Sequence, residues 1–359
     1  MKNLASALLV MFSVSIQPLV GHAADAVQPP ATTTQSSIWR PQTPERYVPI
    51  KWVKARGVAS FYRAPEGSAF GDYLTIIHLP YAEIKFISSP TPRTELGSGK
   101  EPLAGENIKN WGFTRMVVER MKTARPAAKF IWDFPFFNMN LAVTEISLAL
   151  KASDAEGEYI SSGARPDMDM AKARRLLIIN NGAGIGKVMD FDTEPFRTQD
   201  DVVVEGFSPD ATVPGSATST ARLFVGVRPG GKDLVVYCSR SATVAEASDA
   251  LLAAGVPVES QVQGDGGGST TCGYNLPGQY FVEPGRTLPH IMGAFSLKGR
   301  GVANADDLRV RSAPNTDGEI LRTLKRDTKL VIYEERSGWL RIGEGQEWVS
   351  GQYVTKVRV

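Results

Sequence analysis

A run of three glycines constrains this chain more than any other feature of its sequence. The run lies within residues 264–271, between Asp265 and Ser269, and it follows an apolar, β-branched stretch at residues 256–262. Consecutive glycines are costly to order, so a folded chain keeps them where its backbone turns sharply or is approached closely. Two interpretations follow: a tight β-turn without chemistry, or a loop that presents Asp265 and Ser269 to a ligand.

The segment before this loop has clear secondary-structure signals. Two strand-like runs between residues 222 and 237 flank a Pro-Gly-Gly turn and predict a β-hairpin. Thr243 followed by Glu246 is a capping-box pattern, so we predict a helix that begins at Thr243 and stops at Gly255. A strand from Val256 then leads into the glycine loop, which places the loop at the C-terminal end of a strand.

The composition is that of an ordinary globular protein. The chain has 359 residues, of which 42% are hydrophobic and 22% are charged, and its net charge is +2. This length predicts two domains, or one large domain and a small one. Basic runs interleaved with aromatic residues are absent from the sequence, which argues against a nucleic-acid partner.

The N-terminus has the pattern of a secretory signal peptide. Lys2 precedes a mostly apolar run at residues 4–20, and small residues end at Ala23, so we predict a signal peptide at residues 1–23. The alternative is an uncleaved membrane anchor, for which this run is short. Residues 24–50 are rich in Pro, Thr, Gln and Ser and predict a flexible leader. We therefore expect an exported protein, periplasmic or extracellular, with no membrane span after cleavage.

Cysteine and histidine are scarce. Cys238 and Cys272 lie at or beside predicted strands, and in an oxidising compartment they either form one disulfide or stay as two buried thiols. Once the signal peptide is removed, His78 and His290 are the remaining histidines, too few for a three-histidine zinc site. We predict no cofactor and no metal ligands. A divalent cation held by carboxylates and carbonyls would leave no such signature, so the sequence leaves metal dependence open.

A carboxylate lies within an aromatic cluster at residues 130–137. Asp133 follows Trp132 and precedes Phe134. A carboxylate in such surroundings must be paired, hydrogen-bonded, shifted in its pKa or exposed at a site. The alternative to a functional Asp133 is a buried strand and turn in which its carboxylate is paired structurally.

Other segments have weaker signals. Apolar residues at helical spacing predict a helix over residues 113–123 that ends before Pro126. Residues 198–220 contain Gly, Pro and Ser and predict a long loop near a site. Alternating apolar residues predict strands at residues 57–62, 73–79, 82–87 and 174–180.

The C-terminal residues resemble a known small domain. Short, evenly spaced strands predict a β-barrel after residue 305, and residues 297–305 predict a linker. Residues 306–357 resemble a bacterial SH3-like domain through Leu308-Arg309-Val310-Arg311-Ser312-Ala313-Pro314, Gly338-Trp339-Leu340-Arg341-Ile342 and Glu347-Trp348-Val349-Ser350. This resemblance implies an all-β SH3-like barrel over residues 306–359, of a kind that often binds cell-wall material or partner proteins.

The middle of the chain resembles the phosphodiester glycosidase family, that of the lysosomal uncovering enzyme. Residues 222–226 match the family's Arg-Thr-Ala-Ile-Gly strand in their Arg and Gly, residues 265–271 match its glycine-rich hallmark loop, and Arg286 matches its closing segment. The resemblance implies an α+β domain with a mixed sheet over residues 51–296. Residues 132–137 are the counterpart of the family's Ile-Asn-Gly-Gly-Phe-Phe, with Asp133 in place of Asn and both glycines lost, and His290 stands where an Asn is usual.

Cleavage of a sugar phosphodiester requires a held phosphate, a proton-transfer group and donors aimed at the developing charge. The resemblance implies that Asp265, Ser269, Asp133 and His290 are the catalytic candidates. It implies phosphate or substrate binding by Arg222, Arg286, Gly266, Gly267 and Gly268.

Three hypotheses for the function follow. The first is an exported hydrolase that cleaves sugar-phosphodiester linkages of surface glycans and is held at the cell envelope by its SH3-like domain. The second is a non-catalytic glycan- or envelope-binding protein that keeps the fold without activity. The third is an interaction protein that works chiefly through residues 306–359.

Overall fold

The computed structural model describes residues 39–51, 55–65, 70–88, 90–92, 111–134, 143–144, 148–149, 174–190, 201–211 and 216–357. The predicted signal peptide lies outside the described residues, as do most of the predicted leader and residues 135–137 of the aromatic cluster.

The described chain consists mostly of strands. Its first part forms β1 Val48–Pro49, β2 Val58–Arg63, β3 Asp72–His78, β4 Ala82–Ser88, β5 Pro90–Pro92, β6 Trp111–Thr114, α1 Val118–Ala124, β7 Ala128–Trp132, β8 Val143–Thr144, β9 Leu148–Ala149, β10 Arg174–Asn180, β11 Ile185–Asp190 and β12 Asp201–Phe207. The central part forms β13 Thr220–Val227, β14 Asp233–Ala242, α2 Val244–Ala253, β15 Gln261–Gln263, β16 Cys272–Tyr274 and β17 His290–Ser296. The last part forms β18 Gly299–Ala303, β19 Leu308–Arg311, β20 Ile320–Leu324, β21 Lys329–Ile332, β22 Glu334–Arg336, β23 Trp339–Arg341, β24 Trp348–Ser350 and β25 Val354–Val357.

Two sheets form the body of the protein. The larger has the strand order β1-β2-β3-β14-β13-β15-β12-β10-β11, with β9 also paired to β12, and the smaller has the order β16-β7-β17-β4. Both α-helices of the described residues are short, so the predicted α+β class holds only in the coarse sense of a mostly β protein with few helices. Every pairing between the strands that the structure describes is antiparallel, so the predicted mixed sheet is not seen among them.

Alternation along β14 shows how the layers are arranged. Successive side chains of a strand point to opposite faces. Val236 and Cys238 belong to the core that also contains Phe130 and Trp132 of the smaller sheet. Tyr237 belongs to a second core, which packs against α2 on the other face of the larger sheet. The larger sheet is therefore buried on both faces near β14, by the smaller sheet on one side and by α2 on the other.

The local predictions around α2 are confirmed. Thr243 caps α2, and its side chain accepts a hydrogen bond from the Glu246 N–H (3.2 Å), while the Glu246 carboxylate accepts one from the Thr243 N–H (2.7 Å). The predicted hairpin is the pair β13 and β14. The predicted strand from Val256 is shorter than expected, because residues 258–260 form a 3-10 turn before β15.

Two local predictions are corrected by long-range pairing. The helix expected over residues 113–123 is α1 Val118–Ala124, because Phe113 pairs with the short strand β5 instead. The loop expected over residues 198–220 contains β12, which pairs with β10 along its length and with β15 at Phe207. Val203 and Val204 of β12 are buried, so this segment is part of the sheet.

The segment expected to be a linker at residues 297–305 contains a strand. Gly299–Ala303 forms β18, which pairs with both β21 and β25 of the C-terminal module. Arg300 of β18 is buried, and its guanidinium donates hydrogen bonds to the carbonyls of Leu79 (2.6 Å) and Ala82 (2.7 Å). Lys85 of β4 also bonds to Glu344 (2.8 Å). The C-terminal module is thus attached to the body by specific contacts.

Candidate functional site

The glycine loop leaves the larger sheet at the end of β15, as predicted. Its first residues are held by two strands, because the Gly264 N–H donates to the Leu223 carbonyl (3.0 Å) and the Asp265 N–H donates to the Phe134 carbonyl (2.7 Å). A Cβ at position 264 would lie 2.8 Å from the Phe134 ring. Gly264 is therefore needed for the loop to pass between β13 and the end of β7.

The remainder of the loop is a short turn. Gly267 has a φ of +62°, a left-handed conformation that favours glycine. Residues 267–269 form a 3-10 turn, in which the Thr270 N–H donates to the Gly267 carbonyl (3.2 Å). Ser269 is fully buried, whereas Asp265 and the three glycines are partly exposed. The loop therefore presents its backbone at the surface, and Asp265 lies where that surface meets the buried interior.

Three of the predicted catalytic residues come together behind this loop. Asp133 follows β7, and its N–H donates to the Thr271 carbonyl (3.0 Å), which aligns it with the end of the loop. His290 opens β17, and its Nε2 lies 3.4 Å from Oδ1 of Asp133. Both side chains have an exposed fraction of 0%. The two buried groups and Asp265 are close enough to perturb one another's pKa.

The pKa shifts follow from burial and from these contacts. The pKa of Asp265 is raised to about 7, first by burial and then by the nearby Asp133, against the opposing effects of Ser269, the Gly266 N–H and His290. Burial also raises the pKa of Asp133 well above its usual range, against the opposing effects of the Phe134 N–H and Arg286. Two carboxyls in one buried site disfavour simultaneous ionisation. The pair therefore retains a proton at a pH where exposed carboxyls have lost theirs.

His290 is a neutral imidazole near pH 7. Burial lowers its pKa to about 3, against the opposing effect of Asp265. Its ring stacks on Phe86 of β4, with ring centroids 5.0 Å apart. Sequence reasoning missed Phe86, because its contact with His290 depends on the pairing of β4 with β17 and no local pattern signals it. The charged imidazolium that a general acid requires is disfavoured at this position.

Ser269 lies beside the Asp265 carboxylate. It lowers the pKa of Asp265, although its Oγ does not reach full hydrogen-bond geometry with any described group. The Asp265 Oδ1 instead accepts a hydrogen bond from the Gly266 N–H (2.7 Å). Ser269 therefore lies close to the Asp265 carboxylate, and its Oγ is directed into the protein.

Arg286 lies against the other side of the loop. The Gly285 N–H donates to the Gly268 carbonyl (2.8 Å), and this bond joins the loop to the segment that carries Arg286. A Cβ at position 268 would lie 2.6 Å from Nη2 of Arg286 and 2.8 Å from its Nε. The Arg286 guanidinium also lowers the pKa of Asp133. This arginine thus brings a positive charge both to the glycine loop and to the buried carboxyls.

Arg222 is placed differently from the other predicted residues. It is opposite Ser239 in the β13–β14 pair, so its side chain lies on the α2 face of the larger sheet. Its guanidinium donates to the carbonyls of Ala242 (3.2 Å) and Thr218 (2.9 Å), and burial lowers its pKa. Nη1 lies 4.0 Å from where a Cβ of Gly266 would be. Arg222 therefore borders the loop while holding neighbouring backbone in place.

A disulfide joins the two sheets directly beside the loop. Cys238 of β14 is bonded to Cys272 of β16, the residue that follows Thr271, and both cysteines are buried. The predicted pairing is therefore present. The Thr271 hydroxyl donates to the Val282 carbonyl (3.0 Å), which further fixes the end of the loop.

Metal-binding clusters and membrane-spanning helices are both absent from the part of the chain that the structure describes. Within the described ranges, no group of three or more His, Cys, Asp or Glu residues is arranged to hold a metal ion. No helix in the same ranges has both the length and the apolar character needed to cross a bilayer.

Comparisons with known proteins identify the C-terminal module. Residues 306–355 match the bacterial SH3 domain, which confirms the predicted SH3-like domain. No curated protein matches the chain.

Two solved structures are similar to part of this chain. The chain is similar to a hypothetical protein from Synechocystis, with 10% identity and a TM-score of 0.40, over 70% of this chain and 64% of that one. It is also similar to the catalytic domain of zebrafish N-acetylglucosamine-1-phosphodiester alpha-N-acetylglucosaminidase, auto-inhibited by its pro-peptide. That comparison has 13% identity and a TM-score of 0.42, over 67% of this chain and 83% of the zebrafish domain.

Proposed function

We propose that this protein is an exported hydrolase that cleaves sugar-phosphodiester linkages of surface glycans. The observation that carries the proposal is the meeting of two carboxyls of raised pKa, Asp133 and Asp265, with the Arg286 guanidinium at an exposed glycine loop. A carboxyl, a guanidinium and bare backbone N–H groups are the groups that this reaction needs. The resemblance of residues 265–271 to the hallmark loop of phosphodiester glycosidases supports the same reaction.

Each group has a distinct proposed role. Arg286 and the backbone of Gly266–Gly268 hold the phosphate, since a guanidinium binds phosphate oxygens in pairs and glycines let an anion approach the backbone. Asp265 is the general acid, because a pKa of about 7 leaves a proton available at neutral pH. Water adds to the sugar carbon as the bond between that carbon and the phosphate oxygen breaks, and Asp265 gives its proton to that oxygen. The added water loses one proton to solvent, and the Asp265 carboxylate takes up a proton from solvent, which restores the acid.

The remaining candidates support these groups. Asp133 and His290 are fully buried, so we assign them the role of setting the charge and position of Asp265. Ser269 contributes a hydroxyl near the same carboxylate. Arg222 donates to backbone carbonyls, so we assign it to shaping the loop rather than to clamping phosphate.

The test is hydrolysis of a nitrophenyl sugar phosphodiester by the full chain. Asp265→Ala and Arg286→Ala should each abolish release of sugar without unfolding the protein. Asp317→Ala and Arg309→Ala remove the same two types of charge from exposed positions of the C-terminal module and serve as matched controls. Persistent turnover in both site variants would overturn the assignment.

A specific observation favours the alternative, a glycan- or envelope-binding protein without activity. Asp133 and His290 have no exposed surface, and Arg286 covers the bare backbone of Gly268, so the loop of the free protein is partly filled. This alternative predicts saturable binding of the sugar phosphodiester with no turnover. A binding titration with the same sugar phosphodiester, run beside the hydrolysis assay, separates the hydrolase from the binding protein.

The location is proposed on two features. A disulfide persists in oxidising compartments, and Cys238–Cys272 is buried next to the site. The bacterial SH3 domain at residues 306–355 is a module that can bind envelope or cell-wall components. We propose that it holds the protein at the cell envelope. Retention of the full chain on purified cell wall, and its loss when the domain is removed, is the expected result.

A further inference from the structure

A cavity lies away from the glycine loop. Its volume is about 290 Å³, near the lower end of the usual range for small-molecule pockets of about 300–1,000 Å³. Its walls include Arg63, Phe70, Asp72, Ser219, Ser239 and Ser241. Ser239 neighbours Cys238 on β14 and so faces α2, whereas Cys238 faces the smaller sheet. The cavity is therefore on the opposite face of the larger sheet from Asp133 and His290.

The floor of the cavity is a planar pair of side chains. Arg63 donates from Nε to Oδ1 of Asp72 (3.1 Å) and from Nη2 to Oδ2. The Tyr237 hydroxyl also donates to Oδ2 of Asp72 (3.3 Å). The pair is neutral as a unit, and its flat edge offers both N–H donors and carboxylate acceptors to a ligand.

Serine hydroxyls line one wall. The Oγ atoms of Ser219 and Ser241 lie 2.7 Å apart, so one hydroxyl donates to the other. The accepting hydroxyl then keeps its own proton for a further acceptor, and both oxygens keep lone pairs. Such a wall can bind ligand hydroxyls both as donors and as acceptors.

An aromatic ring also lines the cavity. Phe70 is 45% exposed, so part of its ring faces solvent. The Arg240 guanidinium lies 5.9 Å from its ring centroid. An aromatic face beside hydrogen-bonding groups suits a ligand that has one apolar face and a polar edge.

The charges around the cavity argue against an anion. Glu246 and Asp249 of α2 line it in addition to Asp72, and Arg63 is already paired. The Arg63–Asp72 pair is neutral as a unit, so a phosphate placed here would meet the net negative charge of Glu246 and Asp249. A neutral ligand is accepted without this repulsion.

We infer that this cavity binds one neutral pyranose ring, with its apolar face on Phe70 and its hydroxyls on the serine wall and the Arg63–Asp72 pair. The ring can belong to a free monosaccharide or to the end of a glycan. This site is distinct from the glycine loop and does not depend on the proposed hydrolysis.

The test is a binding titration of the full chain by ligand-observed NMR. The probes are methyl glycosides of glucose, galactose and N-acetylglucosamine, a short oligosaccharide of each, and glucose 6-phosphate. We expect saturable binding of at least one neutral sugar and at least tenfold weaker binding of the phosphate ester. A preference for the oligosaccharide over the methyl glycoside identifies a glycan end as the ligand, and equal binding identifies the single ring.

Variants locate the binding. Phe70→Ala should weaken it at least tenfold, and Ser241→Ala should weaken it several-fold. Tyr353→Ala, which removes another exposed aromatic ring, should leave it unchanged. Asp317→Ala, at an exposed position of the C-terminal module, should also leave it unchanged. The titration requires no turnover, so failure of the proposed hydrolysis does not affect this result. No saturable binding of any neutral sugar, or equal binding by Phe70→Ala and wild type, would overturn the inference.

Discussion

The Arg286 guanidinium rests on the bare backbone of Gly268. A Cβ at position 268 would lie 2.6 Å from Nη2 of Arg286, although the backbone of Gly268 is not in the left-handed region. Glycine is therefore needed at position 268 to leave space for the Arg286 guanidinium, and not to give the backbone a left-handed conformation. By contrast, Gly267 has a φ of +62°, and a Cβ there would meet no atom within 4 Å, so its requirement is conformational.

The first prediction tests this relationship. Gly268→Ala should displace the Arg286 guanidinium, which is the flexible end of its side chain, and so should change stability little. If Arg286 holds the phosphate, kcat/KM should fall on the order of 10²-fold, as for loss of one aimed donor. Gly345→Ala, in an exposed turn of the C-terminal module, is the matched control, because a Cβ there would meet no atom within 4 Å. Equal kinetics for the two variants would contradict the prediction.

The second prediction concerns stability against pH. The pKa of Asp265 is raised from 3.8 to about 7, so the folded state retains a proton that the unfolded state loses. The stabilisation from that proton is complete below about pH 4 and is lost as the pH rises to about 7. Asp265→Asn removes this dependence, so the variant should gain stability relative to wild type between pH 4 and pH 8, by at most about 1.4 kcal/mol per pH unit.

Denaturant unfolding of both proteins across this range measures the difference directly. His290 acts in the opposite direction between about pH 3 and pH 6.5, because its pKa is lowered, and the comparison removes most of its contribution since both proteins contain it. Parallel stability profiles for the two proteins would show that the pKa of Asp265 is not raised in the folded state.

The third prediction concerns activity against pH. If Asp265 is the general acid, kcat/KM for the sugar phosphodiester should fall as the pH rises above about 7, because the carboxyl loses the proton it must donate. The neutral His290, with a pKa of about 3, should add no inflection above pH 5. A pH-independent rate between pH 6 and pH 9 would exclude this role for Asp265.

The fourth prediction concerns the disulfide. Cys238 and Cys272 are 34 residues apart in sequence, and closure of a loop of this length contributes about 3–4 kcal/mol in the chain-entropy treatment. The double variant Cys238→Ser/Cys272→Ser should therefore melt at a markedly lower temperature than wild type. Reductant should lower the melting temperature of wild type and leave that of the double variant unchanged. Two titratable thiols in denatured, unreduced wild type would refute the bond.

The fifth prediction concerns the attachment of the C-terminal module. Arg300→Ala removes two hydrogen bonds from a charged donor, to the carbonyls of Leu79 and Ala82, each of which contributes about 1.5–3 kcal/mol. We expect the module to unfold before the body, as a separate transition in calorimetry. Arg309→Ala, on an exposed side chain of the same module, should keep the wild-type profile. An unchanged single transition in Arg300→Ala would contradict this.

Local signals account for the correct predictions. Thr243 and Glu246 define the start of α2 because a capping box is complete within four residues. Five strands of the C-terminal module, β19, β20, β21, β23 and β24, are predictable because turn residues separate them, whereas β18, β22 and β25 are not predicted. The glycine loop is recognisable as a candidate site because residues 264–271 carry an unusual composition whatever surrounds them.

Long-range contacts account for most of the corrections. Residues 202–204 are three consecutive valines, a local strand signal that the loop prediction for residues 198–220 overlooked. This segment becomes β12 by pairing with β10 and β15. Gly299–Ala303 is polar and glycine-rich enough to suggest a linker, and it is a strand because β21 and β25 flank it. The sequence predicts Arg222 as a phosphate clamp, but the backbone of residues 218 and 242 takes up its hydrogen bonds.

The sequence by itself determined which residues can do chemistry: one glycine loop, a few carboxyls, two arginines and a pair of cysteines. The tertiary structure alone decided their environment. Asp133 and His290 are buried together because β7 and β17 are paired. The Arg286 guanidinium lies against the backbone of Gly268. The side chain of Arg222 lies on the α2 face of the larger sheet. These outcomes depend on strand pairing between distant segments, and no local pattern of residues encodes such pairing.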